Sequence, residues 1–291
     1  MKIDMKTGMH NAGEILQALE VKSLPAEIFE LEEAMLSEAP NMVEIANIIS
    51  KHPELLGEFL SISNQVLRRS QDDLIFDARA AVNLLGLQEI QQLFLLSYLQ
   101  KNLPKDDRDR KLIIRSKRAA IAAAELSYWI HELPRSEAYL VAFLQDIGAL
   151  YLSRFDPTYI SKFLNTELTE PFSAYERELN RYQTAHTYLG SLIARRWHLG
   201  NLLCKSILLH HTRQLESLTQ YDSRVAQMVA LIQLSNGLVF REFSDHHETE
   251  ELQTSIHQAI EYLELPDKAI TAANASLKKW GPNCCEHMAS H

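Results

Sequence analysis

Residues 141–152 read VAFLQDIGALYL, an apolar stretch that contains a single polar pair, Gln145 and Asp146. A carboxylate in such surroundings needs a partner, because an unpaired buried charge is costly and tends to take up a proton instead. The stretch itself offers no such group. The partner of Asp146 must therefore come from elsewhere in the chain.

Three histidines are the candidate partners: His186 in YQTAHTYLG, and His210 and His211 in SILLHHT. Neutral imidazole and carboxylate together suit either a divalent cation or a charge-assisted hydrogen bond. Neighbouring residues on a helix point about 100° apart, so His210 and His211 would rarely both reach one ion, and one of the two could face water or a nearby helix end instead. The residue types leave both chemistries open.

The composition is that of a globular protein, with 291 residues of which 46% are hydrophobic. The formal net charge of -9 argues against general affinity for nucleic acid, for which a basic surface is expected. The three cysteines, Cys204, Cys284 and Cys285, do not suggest a disulfide framework and fit a reducing cytoplasm. No signal peptide and no stretch of ~18 apolar residues is present, so we expect a soluble, cytoplasmic chain without a membrane partner.

The hydrophobic pattern predicts an all-α, multi-helix bundle. Apolar residues recur three and four positions apart, as at Ile28, Leu31 and Met35, which is the stripe of an amphipathic helix. Strand-like alternation is nearly absent. Prolines mark expected helix starts at the following positions: Pro25, Pro53, Pro134, Pro171 and Pro266.

Eight segments follow one another in a recognisable order. They are LPAEIFEL (24–31), IANIISKHPELLGEFLSISNQVL (45–67), ARAAVNLLGLQEIQQLFL (78–95), RSKRAAIAAAELS (115–127), AYLVAFLQDIGALYL (138–152), AHTYLGSLIARRWHLG (185–200), CKSILLHHT (204–212) and LIQLSNGL (231–238). In this order they resemble the HDOD domain of bacterial signalling proteins, a non-catalytic relative of the HD phosphohydrolase superfamily. The resemblance covers roughly residues 20–240 and implies an all-α fold whose second half is an HD-like bundle.

Polar segments suggest where the chain divides. The clearest is KNLPKDDRD at residues 101–109, and further loops are expected at 214–222 and 242–251. The predicted units are an N-terminal helical half of the HDOD-like domain (14–104), an HD-like half (105–240), additional C-terminal helices (241–280) and a flexible tail (281–291). The tail carries Cys284, Cys285 and His287, which could bind metal nonspecifically.

Departures from the HD pattern bear on function. The resemblance implies a histidine at the first ligand position, an adjacent His-Asp pair and a closing Asp, where this chain has Arg115, Gln145-Asp146 and Asn236. Arginine is permanently protonated and offers only donors, so it cannot coordinate a cation. Gln145 and Asn236 offer a neutral oxygen without the charge that helps to hold a transition metal.

Two interpretations of the remaining pocket stay open. The pocket is predicted to consist of Arg115, Gln145, Asp146, His186, His210, His211 and Asn236. In the first interpretation, Arg115 replaces the charge of the metal and pairs with Asp146, the histidines complete a buried hydrogen-bonded network, and there is neither a cofactor nor a catalytic residue. In the second, one divalent metal ion is held by Asp146, His186, His210 and His211. Hydrolysis would additionally need an open coordination position and an activated water.

A second feature is a basic helix face. Lys111, Arg115 and Arg118 are spaced four and three apart and therefore share one side of a helix. Such a face could receive a phosphate-bearing ligand or an acidic partner. The alternative is an ordinary solvated face balanced by nearby aspartates.

From these observations we expect a non-catalytic bacterial signal-transduction protein that works by binding a signalling protein partner. The alternative is a metal-dependent phosphohydrolase that acts on a nucleotide or cyclic dinucleotide. Nucleic acid is not an expected partner.

Overall fold

The computed structural model of the protein describes residues 4–21, 23–131 and 133–282, and these residues form helices and no strand. The all-α prediction is therefore confirmed. The first helices are α1 (Met5–Ala18), α2 (Ala26–Met35), α3 (Met42–Ser50), α4 (Pro53–Val66), α5 (Ala78–Leu84) and α6 (Leu87–Asn102). The central ones are α7 (Asp107–Leu126), α8 (Arg135–Leu144), α9 (Ile147–Phe155), α10 (Asn165–Glu167), α11 (Pro171–Tyr182), α12 (His186–Arg196) and α13 (Asn201–Leu209). The last are α14 (Leu215–Thr219), α15 (Ser223–Phe243), α16 (Glu250–Tyr262) and α17 (Asp267–Trp280).

Irregular turns connect some of these helices. Two are 3₁₀ turns, Gln71–Asp73 and Ser127–Trp129, and a π-helical turn, Ile160–Leu164, leads directly into α10. The predicted tail beyond residue 282, with Cys284, Cys285 and His287, lies outside the described residues.

The prolines mark helix starts as predicted. Pro53 and Pro171 are the first residues of α4 and α11, whereas Pro25, Pro134 and Pro266 directly precede α2, α8 and α17. Proline suits these positions because its ring fixes a helical φ and because the first turn of a helix leaves its N–H groups unpaired in any case.

The polar segment 214–222 is not wholly a loop, as the sequence suggested. It contains α14, which packs against α15 and buries Leu215. Burial of one leucine favours a short helix that local polarity did not indicate.

The helices contact one another in two main groups around one continuous hydrophobic core. In the first, α2 to α6 enclose a core in which Phe59 and Phe94 meet edge to face with ring centroids 6.5 Å apart. In the second, α7, α8, α9, α12, α13 and α15 pack together, and α16 and α17 cover α15 and α7. Helix α1 precedes the first group but packs on α9 and α12 of the second, so the boundary proposed at residue 14 falls inside α1.

Two glycines bring α9 and α12 into close contact. A Cβ atom on Gly148 would lie 1.9 Å from the carbonyl oxygen of His186 and 2.7 Å from the backbone nitrogen of Gly190. Only a residue without a side chain allows such a backbone approach. This contact sets the distance between the N-terminus of α9, where Asp146 lies, and the first residue of α12, His186.

None of the helices in the described part of the chain combines the length and the apolar character that a membrane crossing requires.

The contact between α9 and α12 can be tested with Gly148→Ala. Its methyl group would meet backbone atoms that cannot rotate away, so we expect a loss of about 3 kcal/mol in the free energy of unfolding, the upper end of the usual cost of overpacking. Gly57→Ala is the matched control, because Gly57 is exposed on α4 with open space around it. It should gain up to about 1 kcal/mol from helix propensity. Urea unfolding measures both, and an unchanged midpoint for Gly148→Ala would contradict the close contact.

Candidate functional site

Asp146 lies in the break between two helices. Helix α8 ends at Leu144 and α9 begins at Ile147, and Asp146 adopts φ -100° and ψ 16° in between. Its backbone carbonyl accepts from the amides of Ala149 and Leu150, but its side chain does not cap α9. The carboxylate is therefore available to the interior of the bundle.

Arg115 connects Asp146 to a second carboxylate that sequence reasoning missed. From the middle of α7, its Nη2 donates to Asp146 Oδ2 at 2.9 Å and to Glu167 Oε1 at 3.1 Å. The guanidinium side chain is 11% exposed, and both carboxylates are buried. The other carboxylate oxygen of Asp146, Oδ1, has no hydrogen-bond partner among the described residues.

The three histidines converge on one point. Nε2 of His186 lies 3.3 Å from Nε2 of His210 and 3.1 Å from Nε2 of His211. The unpartnered Oδ1 of Asp146 lies 3.7 Å from Nε2 of both His186 and His210, and Oε1 of Glu167 lies 3.4 Å from Nε2 of His211.

Both adjacent histidines reach this centre, contrary to the sequence expectation. Helix α13 ends at Leu209, so His210 is its C-cap residue and His211 already belongs to the following turn. The 100° rule for neighbours on a helix does not apply across a helix end. Gln233 on α15 holds the turn by donating to the carbonyls of His210 (2.8 Å) and Thr212 (2.9 Å).

The outer nitrogens of two imidazoles have acceptors of their own. Nδ1 of His186 lies 2.7 Å from Oε2 of Glu178, and the other oxygen of that carboxylate, Oε1, accepts from the backbone amide of His186. Nδ1 of His210 lies 2.8 Å from the backbone carbonyl of Ile207. These acceptors place the ring proton on Nδ1 and leave the lone pair on Nε2. Lone pairs that face one another repel, so a proton or a cation must lie between them.

The neighbouring amides do not join this centre. Gln145 Nε2 donates to Asn236 Oδ1 at 2.8 Å, and Asn236 Nδ2 donates to Gln145 Oε1 at 2.9 Å. The two positions where the HD pattern has metal ligands are therefore engaged with each other. The site therefore has two parts, the histidines with their carboxylates and, beside them, the amide pair of Gln145 and Asn236.

Burial and charge set the ionisation of these groups. Burial, with the nearby charge of Glu167, raises the pKa of Asp146 against the opposing effect of Arg115. Burial by itself would raise the pKa of Glu167, but the charge of Arg115 outweighs it and holds the pKa of Glu167 well below its usual range. Despite burial, Glu178 and Glu167 raise the pKa of His186 to about 9. Burial, reinforced by His211 and His186, lowers the pKa of His210 well below its usual range.

The residues fit a divalent cation in both ligand type and charge. The ligand atoms of Glu167, His186, His210 and His211 all lie within 4.8 Å of one another, and Asp146 adjoins them through its unpartnered oxygen. Asp146 and Glu167 contact the guanidinium of Arg115, and Glu178 contacts His186, so with neutral imidazoles these groups carry two excess negative charges. Imidazole nitrogen suits zinc, iron, copper or nickel ions. Sequence reasoning gave Asp146 and the three histidines as the set that would hold a metal, and Glu167 is the additional ligand candidate.

Little space adjoins this centre. The cavity bordered by Arg115, Glu167, His210, His211 and Asn236 measures about 20 Å³. That volume corresponds to about one water molecule.

The predicted basic face is divided by the structure. Lys111 and Arg115 line an open groove of about 660 Å³, together with Arg108 and His246 and with apolar residues of the segment from Pro157 to Leu168. Arg118 lies elsewhere, because its guanidinium stacks on Phe243 at 3.6 Å and donates to the carbonyl of Gly281.

Glu167 and Glu178 were not among the site residues that the sequence predicted. Both lie in polar stretches, TELTE and ERELN, where a buried carboxylate looks the same as an exposed one. Tyr175, which stacks on His211 with ring centroids 4.8 Å apart, is likewise indistinguishable from a packing residue.

Comparison with known proteins places this geometry in a family. Residues 21–213 match the HDOD domain. The solved "HDOD domain protein with unknown function" from Geobacter sulfurreducens superimposes with a TM-score of 0.68 at 18% identity, over 97% of each chain. The "Putative phosphohydrolase" from Shewanella amazonensis superimposes with a TM-score of 0.70 at 19% identity, over 97% of this chain and 100% of that one.

A sequence relative is the "Uncharacterized protein" of Treponema pallidum, which is 20% identical over 196 residues. This match covers 66% of the present chain, which spans 38% of the length of that relative. At these identities the solved structures establish a shared all-α fold, and the domain match over most of the chain establishes the family. The protein belongs to the HDOD domain family.

Proposed function

We propose that the protein is a non-catalytic regulatory module that acts by binding a signalling protein, and that the former HD centre now serves the structure. The observation that carries this proposal is the closure of the centre. Its carboxylates and histidines are buried, and the bordering cavity of about 20 Å³ is far below the ~300 Å³ at which pockets for small molecules begin.

The residues lining the centre support the same conclusion. Arg115 fills the space beside Asp146 with a fixed positive charge, and Gln145 and Asn236 satisfy each other. Hydrolysis needs an electrophile with an open position and a path for the substrate. A phosphate ester would have to displace Arg115 from two buried carboxylates, which is costly because each would lose its partner.

A partner has a suitable place to bind in the groove next to the centre. Arg108, Lys111 and His246 provide donors around an apolar floor that includes Leu112 and Leu164. Charge complementarity favours an acidic segment of a partner protein with one or two apolar side chains. A free phosphate-bearing ligand is the competing occupant.

The second candidate function is a metal-dependent phosphohydrolase. The convergence of three Nε2 atoms with an unpartnered carboxylate oxygen favours it. A divalent ion held by Asp146, Glu167 and the three histidines would supply Lewis-acid activation of a water or phosphoryl oxygen. His186 would be oriented by Glu178, and Arg115 would hold the carboxylates.

Turnover separates the two functions. The protein, supplied in turn with Mn²⁺, Fe²⁺ and Zn²⁺, should hydrolyse p-nitrophenyl phosphate, bis(p-nitrophenyl) phosphate and cyclic dinucleotides no faster than its His210→Ala variant, because the closed centre admits no substrate. Release of nitrophenol and chromatography of the nucleotides measure this. Metal-dependent turnover that disappears in His210→Ala would establish the phosphohydrolase instead.

The groove is tested by charge reversal. Lys111→Glu should weaken capture of an acidic partner from a cross-linked lysate by about tenfold, equivalent to 1.4 kcal/mol. Arg79→Glu, an exposed change on α5 that does not line the groove, is the control and should leave capture unchanged. Equal capture by both variants would contradict the assignment. Calorimetric binding of inorganic pyrophosphate that Lys111→Glu abolishes would point to the free ligand.

A structural role of the centre predicts a specific pH dependence in protein stripped of metal. The pKa of His186, about 9 against an unfolded value near 6.5, means that its protonation stabilises the fold fully below pH ~6.5 and that this stabilisation is lost as the pH rises through 9. The loss should reach on the order of 3 kcal/mol, at 1.36 kcal/mol per pKa unit. Glu178→Gln removes the charge that faces His186 and should flatten the profile.

Urea unfolding at a series of pH values measures this effect. Glu176→Gln on the same helix is the control and should retain the wild-type profile, since Glu176 is not a neighbour of His186. Identical slopes for wild type and Glu178→Gln between pH 6.5 and 9 would show that the buried pair has no such role.

A further inference from the structure

We propose that Glu167 is a metal ligand that this chain adds from outside the HD motif order, and that it closes the histidine centre around one divalent transition-metal ion. The inference rests on the proposed non-catalytic function and extends it, because it names the occupant of the centre and the residue that seals it.

The position of Glu167 supports this role. It is the last residue of α10, which continues the π-helical turn Ile160–Leu164, and its side chain is buried. Its Oε1 lies 3.4 Å from Nε2 of His211, while the Nε2 atoms of His186 and His210 lie 3.3 Å apart. Neighbouring ligand atoms bound to one ion at the usual metal–nitrogen distance are separated by roughly 3 to 3.5 Å in four- and five-coordinate sites. The spacing is therefore that of a ligand set.

The charges of the cluster require more than Arg115. Arg115 can neutralise only one of the two carboxylates that it contacts, so the charge of the other must be met by a proton in the histidine centre or by a cation. Glu178 adds a further negative charge behind His186. Oε1 of Glu167 faces both Arg115 and His211, which places this oxygen between the guanidinium and the histidine centre.

The number of protein ligands decides whether a metal site is closed to water and substrate. Catalytic metal sites keep a position open for water or substrate, whereas structural sites are closed by protein ligands. Three histidines and Asp146 are the set that the HD resemblance implies. Glu167 adds one more carboxylate on the side of the small cavity that it borders, where water or a substrate would otherwise enter.

The test uses Co²⁺ binding to the full chain, stripped of metal, in a background of Cys284→Ser, Cys285→Ser and His287→Ala that removes tail ligands. Titration with Co²⁺, followed by visible absorption and elemental analysis, should give one ion per chain. Glu167→Gln can still accept from Arg115 but loses the carboxylate. It should bind Co²⁺ at least tenfold more weakly, and azide should change its spectrum but not that of the wild type.

Two further variants separate loss of the Glu167 ligand from a general effect of removing a carboxylate. Glu170→Gln, three residues further along and paired with Arg177, should bind Co²⁺ like the wild type. Glu167→Asp retains the charge and should recover part of the affinity. Circular dichroism reports whether each variant is folded, and Glu167→Asp tests the inference if Glu167→Gln does not fold.

Two results would overturn the inference. One is wild-type affinity and spectrum in Glu167→Gln, and the other is Co²⁺ binding by the wild type that equals that of His210→Ala. Neither result would contradict the proposed function. That function would be contradicted if the Co²⁺-loaded wild type hydrolysed bis(p-nitrophenyl) phosphate and His210→Ala did not.

Discussion

One guanidinium organises the centre of this protein. Arg115 donates from α7 to Asp146, at the junction of α8 and α9, and to Glu167, at the end of the segment that closes over them. Arginine keeps its proton at any pH that the fold survives, so this contact cannot be switched off by titration of its donor. Loss of Arg115 would leave two buried carboxylates without the positive charge that they share. Three parts of the chain are thereby held at one point.

The excess negative charge that remains can be neutralised in two ways. Protons can do so, because the pKa values of His186 and Asp146 are both raised in the buried centre, most clearly for His186, at about 9. A divalent cation can do the same by binding the Nε2 lone pairs. The two exclude each other at His186, because a ring that binds through Nε2 and donates from Nδ1 to Glu178 has no site for a second proton. Metal binding to such a centre must release protons.

Sequence reasoning located the residues that stand out against their surroundings. Asp146 is a carboxylate in an apolar stretch, and the positions of Arg115 and the histidines follow from motif order. It did not find Glu167 or Glu178, because amphipathic patterns record where apolar residues recur and say nothing about which member of a polar stretch turns inward. The expectation for His210 and His211 was wrong because α13 ends at Leu209 without a glycine or proline to mark the end. The shared face of Lys111, Arg115 and Arg118 follows from helix geometry, yet contacts with Phe243 and Gly281 direct Arg118 elsewhere.

The groove and the buried centre share a wall. Ile160 and Leu164 line the groove from the same segment that carries Glu167 inward, and Arg115 borders both spaces. A molecule bound in the groove would therefore contact Ile160, Leu164 and Arg115 from outside, whereas Arg115 and Glu167 border the buried centre from inside. Coupling between two sites requires an element whose position both of them influence. The segment from Ile160 to Glu167 is such an element. Its residues Ile160 and Leu164 line the groove, and its last residue, Glu167, contacts Arg115 and His211 in the centre. Arg115, the amide pair and the retained histidine centre are then compatible with the proposed binding role, since a closed centre would hold the inner side of the groove in place.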